Sequence, residues 1–249
     1  MSQRLKLIIA YDGAPLAGWQ SQLHGNTVQD QLEKALKRIT GQAIRVHGAG
    51  RTDTGVHALG QCAHIDFAGD KLTPPQLLTA LNAVLPPAIR VLRCQRAPND
   101  FHARFSAKGK IYRYRIWNAP VLPPLEYGRA WHIVQPLDLA KIKSAASHFV
   151  GRHDFAPFAA NRGRGQRPKS SMRSIHSIVI RRRGPCLTIQ FEGDGFLYKM
   201  VRFMVGSLVH CGHGKMTVAE LVDRISGRRQ DKARLVAPAE GLFLLRVRY

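Results

Sequence analysis

A chain of 249 residues can bury a sizeable core, and its 45% hydrophobic and 22% charged content excludes a disordered protein. The outlier is charge: 38 Lys and Arg stand against 16 Asp and Glu, a net +22, which points to a polyanionic partner. No apolar run reaches membrane-spanning length and no Lys/Arg-rich amphipathic helix stands out, so nucleic acid is favoured over an anionic membrane.

In chain order, Leu5–Ala10 is a short apolar run ending at Tyr11-Asp12-Gly13, which predicts a strand and a turn. No signal-peptide core precedes it, and cytosol is the expected compartment. Thr27-Val28-Gln29-Asp30 has the spacing of a helix cap. Val28, Leu32, Ala35, Leu36 and Ile39 then follow a 3.6 period up to Gly41. Ile44–Val46 and Gln61–Phe67 read as strands on either side of a glycine-rich loop, Gly48 to Gly60. Thr73-Pro74 opens a second helix with Leu77, Leu78, Leu81 and Leu85 as its apolar stripe, and Ile89–Gln95 is a strand.

A similar rhythm follows. Lys110–Trp117 predicts a strand, and Asp138 caps a helix carrying Leu139, Ile142, Ala146 and Phe149 that Gly151 closes. Asn161–Ser171, with Arg162, Arg164, Arg167 and Lys169, predicts a mobile basic loop. Ser174–Arg181 and Leu187–Phe191 form a hairpin pattern. An apolar helix spans Phe196 to about Val209, Thr217 to Glu220 has capping-box spacing, and Leu242–Tyr249 is a last strand. The expected class is α+β with mostly antiparallel pairing, divided into residues 1–105 and 106–249.

Three segments carry chemistry. Gly48-Ala49-Gly50-Arg51-Thr52-Asp53-Thr54-Gly55-Val56-His57-Ala58 places a cation and a carboxylate among glycines that permit close approach of a bulky ligand. Taken alone, an Asp in such a loop reads first as an Asx-turn that accepts hydrogen bonds from its own backbone, and the rest of the chain must overturn that. In Lys110–Trp117, alternation sets Tyr112, Tyr114 and Ile116 on one face and Arg113 and Arg115 on the other, an arrangement suited to stacking a flipped base. A core position is the competing reading for Tyr114. Arg202 sits in the apolar helix, where a guanidinium is costly without an anionic partner unless it reaches solvent. The four cysteines, Cys62, Cys94, Cys186 and Cys211, form no CxxC pair, and His64/Asp66 and Cys211/His213 lack the further ligands of a zinc site. No metal site is expected.

GRTDTGVHALGQCAHID, residues 50–66, resembles the signature of the TruA-type tRNA pseudouridine synthases. Tyr11–Gly13, Gly18–Gln22 and Thr27–Leu36 are similar to that family's opening. Phe101–Asn118, Gly193–Val209 and the closing GLFLLRVRY follow in the family's order. The resemblance implies two RRM-like (ferredoxin-like) halves joined in a continuous sheet, with helices packed on it and a catalytic cleft between the halves. It implies Asp53 as the catalytic carboxylate, Arg202 as its ion-pair partner, Arg51 as the residue that stabilises the displaced nucleotide, and Tyr112 as the ring against the target uracil. It further implies a homodimer that needs no cofactor and acts on uridines at tRNA positions 38–40. Ala14-Pro15-Leu16 and Thr54 depart from the family's usual residues. A non-catalytic RRM-like RNA-binding protein is the alternative, and a metal-dependent RNA hydrolase a more distant one that would need clustered carboxylates.

Overall fold

The computed structural model describes residues 2–23, 25–68, 72–160, 170–229, 231–233 and 235–249. In chain order the elements are β1 (Ser2–Tyr11), α1 (Val28–Thr40), β2 (His47–Gly48), β3 (His57–Ala68), α2 (Pro74–Val84) and β4 (Ile89–Arg96). They continue with β5 (Gly109–Asn118), β6 (Trp131–Ile133), α3 (Leu139–Ser147), β7 (Gly151–Asp154), β8 (Met172–Arg183) and β9 (Cys186–Gly193). The last are α4 (Met200–Gly212), α5 (Val218–Ile225) and β10 (Leu242–Arg248). Two compact units result: Met1–Lys108 with Phe243–Tyr249, and Gly109–Leu242. The sequence division at 105/106 leaves the last strand in the second half. In the structure its residues return to the first unit, because Phe243 and Leu244 pair in parallel with His57 and Ala58 of β3.

In the first unit β1 lies between β4 and β3, antiparallel to both, and β2 pairs antiparallel with β3. Alternation along β1 buries Leu5, Leu7, Ile9 and Tyr11. The apolar stripe of α1 is buried as its period requires, at Val28, Leu32, Ala35 and Leu36. Thr27 caps its start by accepting the Asp30 N–H, and Gly41 ends it at φ 74°, a left-handed conformation that glycine adopts without strain. On α2, Leu77 and Leu81 are buried while Leu78 is only half-buried.

In the second unit β9 lies between β5 and β8, antiparallel to both; β7 extends this sheet beyond β8 and β6 runs parallel to β5. Pairing in both units is therefore mostly antiparallel, and the α+β class holds. Asp138 caps α3 through the Lys141 N–H, and Thr217 with Glu220 forms the capping box of α5.

Three expectations are corrected. Ile44–Val46 is not a strand: the Val46 N–H donates to the Glu33 carboxylate and its carbonyl accepts from the Gln29 side chain, so α1 takes the groups a ladder would use. The helix expected to run up to Gly151 stops at Ser147, although Phe149 beyond it is fully buried, and Gly151 instead opens β7 at φ 115°. The helix expected from Phe196 starts at Met200, because Lys199 adopts φ 59° and breaks the run. Its apolar period reaches back into that turn because Leu197 is buried there too. The basic loop expected at Asn161–Ser171 falls almost wholly outside the described residues.

Candidate active site

Residues 48–57 run from β2 into β3, and neighbouring segments hold them at nearly every second residue. The Ala49 N–H donates to the Cys62 carbonyl at 2.8 Å, and Gln61 Nε2 donates to the Gly50 carbonyl at 2.9 Å. The Trp19 N–H donates to the Thr52 carbonyl at 3.1 Å, and the Tyr11 phenol meets Thr52 Oγ1 at 2.8 Å in a buried position. The Val56 N–H closes a turn on the Asp53 carbonyl at 3.1 Å. Gly13 donates its N–H to His57 Nδ1 at 3.1 Å, and the His57 ring stacks on Phe243 with centroids 4.5 Å apart.

Close backbone approach explains two glycines outside the loop. A Cβ on Gly13 would lie 2.2 Å from the Val56 carbonyl oxygen, and one on Gly18, at φ 87°, would lie 2.7 Å from that of Thr52. Segments Tyr11–Gly13 and Gly18-Trp19 thus form the wall against which the loop is pressed. The outcome is alternation without a strand: Thr52 is buried as the anchor, Asp53 is half-buried, and Arg51 and Thr54 are exposed. The backbone that carries the Asp53 carboxylate is thereby held in place by hydrogen bonds on both sides of it.

The second unit carries the other residues singled out by sequence. Tyr112 and Tyr114 share the inward face of β5, as alternation predicts, yet their surroundings differ. Tyr114 is fully buried, with its hydroxyl donating to the Pro238 carbonyl at 2.8 Å, and burial pushes its ionisation well above the ordinary tyrosine range. Gly241 fits against that ring so closely that a Cβ there would lie 2.6 Å from it. Tyr114 is a core residue. Tyr112, at 8% exposure, sits opposite Phe191 and meets Phe196 edge-on with centroids 5.0 Å apart. On α4, Arg202 is half-buried among buried neighbours. Its Nε donates to the Ala237 carbonyl at 2.7 Å, and the Ala237 N–H donates to the Arg202 carbonyl at 3.1 Å. This reciprocal clasp orients the guanidinium, so a backbone carbonyl meets part of the demand for a partner.

His47, His64 and His102 bring ring nitrogens within 4.8 Å of one another in the first unit. Sequence spacing could not show this cluster, since it draws on β2, β3 and the segment after β4. His64 Nδ1 accepts the Ala103 N–H, and His102 Nδ1 accepts the Arg104 N–H. Histidines that ligate a metal donate their second ring nitrogen outward, whereas these two use it as an acceptor, so the donor set fits a loop fastener better than a metal cage. Asp66, the other half of the His64/Asp66 pair, is held by Arg4 at 2.7 Å. The four cysteines are free thiols, and among the described residues no helix is long and apolar enough to cross a membrane.

The anchors Tyr11, Gly13, Gly18 and Trp19 were not among the residues that sequence reasoning assigned to the site. Their only signal was membership of the YDG and GWQ segments, which carry no chemistry of their own.

A family model described as tRNA pseudouridine synthase matches residues 7–106 and 145–249. The chain is 42% identical to a protein named tRNA pseudouridine synthase A from Acetivibrio thermocellus, covering 99% of this chain and 100% of that one. It is 44% identical to proteins of the same name from Akkermansia muciniphila and Afipia carboxidovorans, again over 99% of this chain and 95% and 99% of theirs. On this full-length similarity, the chain belongs to the tRNA pseudouridine synthase family.

Proposed function

We propose that the protein isomerises uridine to pseudouridine at positions 38–40 of the tRNA anticodon arm, with Asp53 as the catalytic carboxylate. The observation that carries the proposal is the clamped loop: Thr52 anchored by Tyr11 and Trp19, with Asp53 presented immediately after it. The reaction breaks the C1′–N1 bond, turns the uracil and joins C1′ to C5. N1 gains a proton and C5 loses one, so there is no net redox change and the chemistry calls for no redox or group-carrying cofactor. An ionised Asp53 acts as nucleophile at C1′ or C6, or as base at C2′.

The target nucleotide must first leave its stack, at about a few kcal/mol. Exposed Arg51 suits stabilisation of the displaced nucleotide, and the rim of Tyr112 suits packing against the uracil. In this reading Arg202, its guanidinium oriented by Ala237, supplies the cation that offsets the negative charge of Asp53. The net charge of +22 supplies attraction for tRNA phosphates, and the family resemblance implies a homodimer.

Tritium release from tRNA labelled at uracil C5, in the absence of any added cofactor, tests the proposal. Release by the unaltered protein and its loss in Asp53→Ala are expected. Unimpaired release in Asp53→Ala would remove the carboxylate from the mechanism. Tight tRNA binding with no release by either protein would favour the non-catalytic RNA-binding alternative.

A further inference from the structure

The sheet of the second unit has a second face, away from Tyr112, on which charge is concentrated. Strand register places Arg113 of β5 beside Gln190 of β9 and Val179 of β8; on the next two rungs Arg181 and Arg183 of β8 lie beside Thr188 and Cys186. These side chains line a shallow cleft of ≈ 330 Å³. Strand geometry sets Arg181 and Arg183 roughly 7 Å apart along β8, and Arg113, across β9 and further along, about 12 Å from Arg181 and about 16 Å from Arg183.

Among the described residues no acidic one lines the cleft. Arg115, on the same face, is paired with Glu126 at 2.6 Å, whereas Arg113, Arg181 and Arg183 make no salt bridge among the described residues. Like charges on one sheet face repel, most strongly the neighbours Arg181 and Arg183, a cost that a bound polyanion offsets. Guanidinium forks match phosphate oxygens, and Thr188 and Gln190 add neutral groups suited to ribose and phosphate. Among the described residues no aromatic ring lines the cleft, which suits it to backbone rather than to stacked bases.

We propose that this arginine-lined face is a second polynucleotide contact, gripping the sugar–phosphate backbone of the substrate tRNA outside the arm that carries the target uridine. The proposal rests on the function proposed above. Successive residues Tyr112 and Arg113 point to opposite faces of β5, so RNA held at Arg113 is a different segment from the one whose base meets Tyr112.

The test compares an unmodified full-length tRNA transcript with the isolated anticodon arm. Each is bound across a salt series by the unaltered protein and by the triple variant Arg113→Gln, Arg181→Gln, Arg183→Gln. For full-length tRNA, loss of three phosphate contacts lowers the slope of log affinity against log salt by about two to three. Arm affinity and kcat on the arm stay within twofold. As a measurement free of substitutions, full-length tRNA protects Cys186 of the unaltered protein from alkylation, and the arm does not. An unchanged slope, an equal loss with the arm, or a changed oligomeric state in sedimentation (a second copy then covers this face) overturns the proposal. Tritium release is scored separately: if the unaltered protein releases none, the synthase reading fails while the binding comparison still decides this one.

Discussion

The hydroxyls of Tyr11 and Thr52 meet at 2.8 Å in the core of the first unit, so the last residue of β1 holds the residue immediately before Asp53. Tyr11 is enclosed enough that burial pushes its ionisation up to about 12, and it stays a neutral hydrogen-bonding group at any working pH. Replacing it by phenylalanine keeps the ring and leaves Thr52 Oγ1 without this partner. The expected cost is about 1–2 kcal/mol, or a Tm lower by roughly 2–6 °C. Because Asp53 follows directly, kcat should fall more than KM rises. A lowered Tm with unaltered kcat would show the contact to be structural only.

Gly13→Ala places its Cβ 2.2 Å from the Val56 carbonyl oxygen, a backbone atom that cannot rotate away. The loop must shift, at a cost of about 1–3 kcal/mol, and kcat should drop at least tenfold because Asp53 moves with it. Gly41→Ala is the control. Its φ of 74° makes alanine unfavourable by about 1–2 kcal/mol, yet nothing lies within 4 Å of the new Cβ. Thermal melts and steady-state kinetics should separate the two: similar losses of stability, with activity lost only in Gly13→Ala.

Asp53→Asn is nearly isosteric and should reduce turnover by about 10²–10⁴-fold with an unaltered Tm. Arg202→Lys keeps the charge but loses the planar fork that binds the Ala237 carbonyl, so turnover should fall at least tenfold. If the two residues act as a pair, the double variant is no slower than Asp53→Asn alone. Additive losses in single-turnover rates would show that they act separately.

Acid should loosen the first unit as the pH falls below the ordinary histidine value. Burial, reinforced by the nearby His102, His47 and Arg4, pushes His64 from 6.5 down to about 4, while its Nδ1 accepts the Ala103 N–H. Between those values the unfolded chain takes up a proton that the folded protein refuses, so folding stability falls as pH drops through this window and is complete above it. His102 is shifted the same way, and burial is again the first cause. Asp66, held low by its hydrogen bonds to Arg4, contributes a loss only in stronger acid. Urea midpoints at pH 7.5 and 5 should differ in the unaltered protein and differ less in His64→Gln; an equal pH dependence in both would remove His64 from this role.

What could be read along the chain was whatever repeats locally. The 3.6 period of Val28, Leu32 and Leu36, the caps at Thr27, Asp138 and Thr217, and the alternation of Tyr112, Arg113 and Tyr114 each depend on neighbours a few residues away. The motif around Asp53 was legible for the same reason, since its glycines and charged residues are contiguous. Where local pattern failed, long-range partners had intervened: Glu33 and Gln29 took the backbone groups of Val46, and a left-handed Lys199 cut short an apolar run that looked helical.

The amino-acid order by itself determined the class of fold, and it carried the charge and the family resemblance on which the proposed partner and the proposed carboxylate rest. Only the tertiary structure decided that Tyr114 belongs to the core, that Tyr11, Gly13, Gly18 and Trp19 hold the loop, and that three arginines from two strands share one cleft. The physical reason is distance along the chain. Burial, close approach and charge accumulation arise among residues tens of positions apart, and no local period or propensity records them.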